Sequence, residues 1–359
     1  MNKQEYLNQI QEKLQGCDTE FIAEMTRDLE EHFEQGMQNG KTEQEIAETL
    51  GDISEWVDEL KQNYAAKLLP AVTAELPDTV NKVTVKTSSV DVVVESDCDE
   101  VSWELIDSFS KMNLHNYEVK ESYNHGRLTL EVEQKIKNHI GFSFSSPRFL
   151  VYVPHGVDEI RVETHSADIS IHDCDALDIK LAAKSGDINV EDCRGNLWIN
   201  SQSGDIHIEP EEAEKIVLQT SSGDIEVEVE EVGSLSAKST SGDIEVKTDD
   251  CSELFLTSTS GDIEFEGNAA QIKISSTSGD IELENIQTEL IWIETVSGDV
   301  NIELSDCNGL EGTTTTCSGD IKIDLDEVVF KNEGSFNWKD GDTEVAIKTV
   351  SGDIKIELN

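Results

Sequence analysis

Ser-Gly-Asp occurs nine times in this chain of 359 residues, with its Ser at 185, 203, 222, 241, 260, 278, 297, 318 and 351. A carboxylate repeated at such regular spacing is the first candidate for chemistry. In TSSGDIEVEVEEVGSLSAKSTSGDIEVKT (Thr220 to Thr248) the tetrapeptide Ser-Gly-Asp-Ile appears twice, nineteen residues apart. Stacked at that interval, Asp224, Asp243, Asp262 and Asp280 are candidate calcium ligands, since calcium takes about six to eight oxygens. Calcium-binding β-rolls carry Gly- and Asp-rich turns on both edges of each coil. Here one edge carries the motif, and the other varies freely, as in Glu-Asp-Cys-Arg-Gly or Glu-Glu-Val-Gly. The pattern favours Asp as an acceptor for nearby backbone amides, with Ser as a weaker one. It points to no required metal and no cofactor.

A second group is His172, Cys174 and Cys193, in which the two cysteines hold the same position in successive repeats. Such a pair could hold zinc or act in redox chemistry, or simply stack as small residues in a bend. No Ser-His-Asp, Cys-His or His-x-x-x-His constellation accompanies it, so no catalytic residue is assigned. A third group is aromatic. The last two motifs are 33 residues apart, and the extra stretch FKNEGSFNWKDGD (Phe330 to Asp342) carries Phe336 and Trp338 among polar neighbours. Those two, with Trp56 near the N-terminus, are the candidate partner contacts. The competing role for the stretch is a cap over the open C-terminal end, blocking edge-to-edge assembly.

The elements around the motif must position these groups. Six and four residues before each Ser the chain is apolar, as at Leu197 and Ile199, Ile216 and Leu218, and Ile272 and Ile274. Three and five residues after it the chain is apolar again, as at Ile225 and Val227, and Ile263 and Phe265. Glu226, Glu228, Glu264, Glu266, Glu282 and Glu284 lie between. This is period-two alternation, the mark of strands with one buried face. A period near nineteen leaves room for two strands and two bends, and no helix. The predicted fold is mainly β: a single-chain parallel β-solenoid, or β-helix, with two strands per coil, preceded by a small α-helical bundle. Ten or so coils at about 4.8 Å give a rod on the order of 50 Å. The glycines of the motif (Gly186, Gly204, Gly223, Gly242, Gly261, Gly279, Gly298, Gly319, Gly352) mark a structural turn needing either positive φ or close backbone approach. Val90, in the early copy Ser89-Val90-Asp91, tests which, because a β-branched residue resists positive φ.

Three parts follow. Residues 1–66 show helical spacing, with Leu7, Ile10 and Leu14 on one face, and Ile22, Met25, Leu29 and Phe33 on another. A capping box at Thr42 to Glu45 opens a further helix, and Asp52 to Glu55 caps the next, whose face includes Trp56 or Val57, Leu60 and Tyr64. Residues 67–80, with Pro70 and Pro77, form a linker. Residues 81–359 make the solenoid: an irregular start to 160, regular coils over 161–325, then the insertion and last coil over 326–359. Ser96 to Phe144 breaks the period and is expected to form excursions or a covering hairpin.

Charge excludes several roles. Asp and Glu outnumber Lys and Arg by 76 to 27, for a net charge of −49. Such a surface repels nucleic-acid phosphates and anionic lipid. No apolar run of about 18 residues is present, so no direct membrane span is expected. The N-terminus lacks a secretory apolar region, and seven scattered cysteines suit a reducing compartment. The expected location is cytoplasmic, with any membrane association made through a partner. Loose divalent cation binding could relieve stacked glutamates, which cost about 0.8 kcal/mol per pair at about 5 Å in water.

Two resemblances carry the reading further. FLVYVPHGV followed by the Ser-Gly-Asp-Ile repeats, over about residues 80–359, resembles the bacterial putative-adhesin family of β-strand-repeat proteins of unknown function. EHFEQGMQNGKTEQEIAETLGDISEWVDEL, within residues 1–66, resembles the HAAS-type helical signalling domain, with Gly51-Asp52-Ile53 where that family has Gly-Asp-Pro. Neither implies a catalytic mechanism. The HAAS resemblance implies a protein partner, a regulator or membrane protein, reached through the helical domain. The expectation is a non-enzymatic scaffold in bacterial regulatory or envelope-stress signalling. The alternatives are a surface-exposed adhesin or carbohydrate-binding rod, and a calcium-stabilised solenoid.

Overall fold

In the computed structural model the described residues are 1–14, scattered positions between 26 and 40, 41–50, and 80–358 apart from 97, 107–113, 115–116, 136–146, 306, 326–327, 333 and 340–342. Two helices are described in the front part, α1 (Lys3–Lys13) and α2 (Glu43–Leu50). Asn2 and Glu5 form a capping box on α1, satisfying amides that a helix start leaves free. The Thr42–Glu45 box expected from the sequence opens α2, with Glu45 accepting from the Thr42 amide at 2.8 Å. Tyr6, Leu7, Ile10, Leu14, Phe33 and Ile46 are buried, and Tyr6 meets Phe33 edge-on at 5.8 Å. The helix expected from Asp52, with Trp56, lies outside the described residues.

From residue 82 the described residues are almost entirely strand and turn. Each coil crosses two sheets, and the apolar positions of one coil sit in register on those of the next. Ile188 pairs with Ile206, Ile225 with Ile244, Ile263 with Ile281, and Val300 with Ile354, all in parallel. These residues are buried, while the residues alternating with them face out. No coil could bury this face alone; the stack buries it as one continuous core. In mid-rod, β14 (Ile225–Lys238), β15 (Ile244–Thr257) and β16 (Ile263–Ser275) run unbroken around the corner opposite the Ser-Gly-Asp turn.

Both ends depart from sequence order. The first coil, β1 (Lys82–Thr87) and β2 (Asp91–Glu95), is not outermost. It lies between β5 (Arg127–Gln134) with β6 (Arg148–Tyr152) on one side, and β7 (Val157–Glu163) with β8 (Ile169–His172) on the other. The last coil, β24 (Thr343–Lys348) and β25 (Ile354–Leu358), lies between β18 (Leu290–Glu294) with β19 (Val300–Leu304), and β20 (Leu310–Thr315) with β21 (Ile321–Leu325). About twelve coils at roughly 4.8 Å give a rod on the order of 55 Å.

Antiparallel strands close both ends. β3 (Ser102–Ile106) pairs with β6, and β4 (Tyr117–Asn124) with β5 across a tight turn at His125-Gly126. At the far end β22 (Val328–Lys331) pairs with β21, and β23 (Ser335–Trp338) with β20. The period-breaking stretch after Ser96 and the insertion after residue 326 are therefore equivalent devices that cover exposed sheet edges. β4 carries its edge as charged residues, with Lys120 ion-paired to Glu133.

Candidate functional site

The repeated Asp forms one continuous ladder at a single corner of the rod. Each Asp amide donates to the carboxylate of the Asp one coil earlier: Asp205 to Asp187 at 3.0 Å, Asp224 to Asp205 at 2.9 Å, and Asp243 to Asp224, Asp262 to Asp243 and Asp280 to Asp262 at 2.8 Å. The ladder begins at Asp91, which accepts from Asp168, and ends from Asp299 through Asp353 to Asp320, following spatial order rather than sequence. Each Asp carbonyl also accepts the amide of the apolar residue one coil earlier, as Ile225 donates to Asp243 at 2.9 Å. The corner would otherwise break the sheet ladder, and a side-chain oxygen replaces the missing acceptor.

The residue two before the Ser has a bonding role in the mid-rod coils. Ser201, Thr220, Ser239 and Ser258 are buried, and their hydroxyls accept from the amides of Gly204, Gly223, Gly242 and Gly261 at 2.9 to 3.1 Å. The signal was present, because a hydroxyl recurs at that position in every one of these coils. Further along the rod the pattern changes. Gly279, Gly298 and Gly352 take positive φ, and the amides of Gly279 and Gly298 turn to the Ser297 and Ser351 carbonyls. The Ser276, Thr295 and Thr349 hydroxyls are then left without a partner.

For Gly186, Gly204, Gly223, Gly242, Gly261 and Gly319, the reason for glycine is close approach and not positive φ. A Cβ at any of them would fall within 3.0 Å of a backbone carbonyl oxygen in the neighbouring coil. At Val90 the bend is kept, with the Val90 amide donating to Thr87 Oγ1 at 3.1 Å and the side chain buried. The bend therefore does not itself demand a left-handed residue.

Among the described residues no group of three or more His, Cys, Asp or Glu is placed to hold a metal. The candidate ligands Asp224, Asp243, Asp262 and Asp280 each commit one carboxylate oxygen to the next coil. Removing one should cost about what one hydrogen bond contributes: Asp243→Ala is expected to destabilise the rod by about 1 kcal/mol, and Asp243→Asn by less, because the amide oxygen still accepts. Urea titrations of the three proteins with calcium and with chelator check this, and the midpoints are expected to agree in both.

The remaining candidates lie apart. Cys174 and Cys193 are stacked and buried, at 1% and 0% exposure. Hydrogen bonding between the two thiols holds Cys193 above and Cys174 below the ordinary thiol pKa. His172 does not join them; its Nδ1 meets Glu191 at 3.3 Å on the outer face. Phe336 and Trp338 do not project as a contact loop. At 6% exposure each, they belong to the core, because β23 folds antiparallel onto β20. The end they cover is that of coil 310–325, and the final coil in sequence is interior to it.

The outward faces of the two sheets differ in charge. On the sheet following the Ser-Gly-Asp corner, Glu226, Glu245, Glu264 and Glu282 stack in register, beside Glu228, Glu266 and Glu284. Burial raises the Glu284 pKa, and repulsion from Glu282, Glu264, Glu303 and Glu266 raises it further. A carboxyl whose folded pKa is raised binds its proton more readily in the native state, so this face gains stability as pH falls through that value. Glu284→Gln is expected to raise the melting temperature at about pH 7.5 in low salt, and the gain to shrink at about 0.5 M salt, as paired melts of the two proteins would show.

Two family models match the chain. Residues 80–265 and 199–357 match the Toastrack DUF4097 model, which covers well over half of the sequence. The chain belongs to the Toastrack DUF4097 family. Ahead of the Toastrack rod, residues 5–59 match the HAAS model. Among solved structures the rod is similar to a crystal structure of a putative cell adhesion protein from Clostridium sporogenes. The two share 10% identity, with 79% of this chain and 95% of that chain covered, at a TM-score of 0.21. No curated protein matches. Within the described residues of the Toastrack protein, no helix is long and apolar enough to cross a membrane.

Proposed function

We propose that this protein is a non-enzymatic interaction scaffold, in which the HAAS-type helical part docks on a protein partner and the acidic rod presents a surface. The observation that carries this reading is the use made of the repeated motif. Its Asp and Gly residues, and the hydroxyls of Ser201, Thr220, Ser239 and Ser258 ahead of them, are committed to hydrogen bonds and close contacts with the backbone, so the conspicuous repeat builds shape rather than a reacting centre. The outward glutamate rows form a broad anionic face suited to a basic protein surface or to loosely held divalent cations. The setting that fits a helical domain of this type is bacterial regulatory or envelope-stress signalling. The protein then works in the cytoplasm and reaches the membrane only through its partner.

The test is affinity capture from host lysate with the full chain and with a chain starting at residue 80. The expected result is a regulator or membrane protein retained by the full chain and lost on removal of the helical part. Equal retention by both, or retention of glycan by the rod alone, would refute the adaptor role and favour a binding rod.

A further inference from the structure

Opposite the glutamate face, the outer side of the other sheet carries a column with a different character. Five residues before the Ser of successive coils stand Trp198, Val217, Ser236, Phe255, Lys273 and Trp292, aligned in register. Lys180 precedes them and Ala346 follows. No carboxylate occurs in this column from Lys180 to Ala346, although the chain has 76 acidic residues. Trp292 is 40% exposed, and the other side chains from Trp198 to Lys273 are partly exposed. Lys180 lies over the Trp198 ring and Lys273 over the Phe255 ring, both at 5.1 Å.

The order along this column is self-complementary. Rotate a second copy by a half-turn about an axis in the face, running along the strands through Ser236. Trp198 then meets Lys273 of the other copy, Val217 meets Phe255, and Lys180 meets Trp292. Every cation meets an aromatic ring, and the apolar side chains meet one another. In the flanking column, Lys215 lies one coil before Ser234 and Glu253 one coil after it, so the same rotation sets Lys215 opposite Glu253. Lys238 meets its own copy, at the flank where a long side chain can splay into water.

We infer that this face is where two copies of the chain pack, sheet on sheet and antiparallel. The interface is isologous, with the same patch used twice. Eight or nine coils at about 4.8 Å, three outward columns wide, give on the order of 850 Å² per copy. A stable pair of standard size buries about 800 Å² per partner. Charge selects the face as well. Two molecules of −49 repel through their acidic faces, whereas here Lys180 and Lys273 meet aromatic rings and Lys215 meets Glu253.

The test is sedimentation equilibrium of the full chain across about 0.05 to 0.5 M salt. A dimer is expected, and it tightens as salt screens the net charge, unlike an assembly held by ion pairs alone. Trp292→Glu is expected to weaken it at least about tenfold, and Glu264→Gln on the opposite face to leave it unchanged. Lys215→Glu places like charges together and should weaken the dimer, while Lys215→Glu with Glu253→Lys restores it. All these side chains face outward, so matched melting curves confirm that each variant folds. Three results would overturn the inference: a monomer at every salt concentration up to about 100 µM protein, a dimer indifferent to Trp292→Glu, or a double variant that fails to recover. A monomer whose aromatic column instead retains polysaccharide would assign the face to glycan and equally refute the pairing.

Discussion

Gly242→Ala is expected to destabilise the rod by about 3 kcal/mol, at the upper end of what overpacking costs. The added methyl group would lie within 3.0 Å of the carbonyl oxygen and carbon of Gly223 and of Asp224 Oδ1. What it strikes is mainly backbone, and that backbone is held in place. Gly223 donates to Thr220, Gly242 donates to Ser239, and the adjoining Asp residues are joined by the ladder. Moving one corner outward means lengthening intercoil bonds on both sides, because each coil shares its ladder with the next. Gly334→Ala supplies the control. Its Cβ would find nothing closer than Thr314 O at 3.8 Å, so a change near zero is expected. Urea denaturation of both variants checks the pair. Equal midpoints for the two would mean that the corner can give, and that glycine recurs there for another reason.

How much of this was legible follows from what a repeat encodes. The period and the alternation of Ile, Leu and Val with Glu fix which residues face inward, and nothing else satisfies both. The Asp role was also readable, since a turn carboxylate on one edge alone suggests a backbone acceptor before a metal ligand. The order of coils at the ends was not readable. Ile302, Ile356 and Ile323 present the same side chain at the same place in their coils, so no residue announces which coil lies beside which. A 33-residue gap between motifs signals an insertion, but it leaves open whether the chain goes past a coil and returns. Phe336 and Trp338 misled for a related reason. Polar neighbours made them look exposed, whereas strand alternation in β23 turns both of them inward. The charge difference between the faces was present in the sequence as well. It becomes visible only when position five before each Ser is compared with position four after it.

The largest effect is expected where sequence position suggests little. Ile356 lies three residues from the last residue, Asn359, where fraying and tolerance to substitution are usual. In the rod its coil has a neighbour on each side, with Ile302 in register on one and Ile323 on the other, and its side chain is fully buried. Ile356→Asp therefore places an unpaired carboxylate in the core between two coils and is expected to cost about 4 kcal/mol or more. A coil at a free end could swing the charge into water at the loss of its own contacts. This one cannot do so without also parting β19 from β21, since both pair with it in parallel. Hydrogen exchange supplies a second readout on the unmodified protein. Amides of β25 are expected to be as protected as those of β16 at mid-rod, and those of the capping strand β22 less so. Rapid exchange across β25 would place the last coil in sequence at the physical end of the rod, contrary to the intercalated order. The first coil is placed likewise, with β1 and β2 held from both sides. Both termini of the repeat are thus locked one coil inward, and the two ends of the rod are left to antiparallel strands, which interrupt the parallel order that another rod would have to continue.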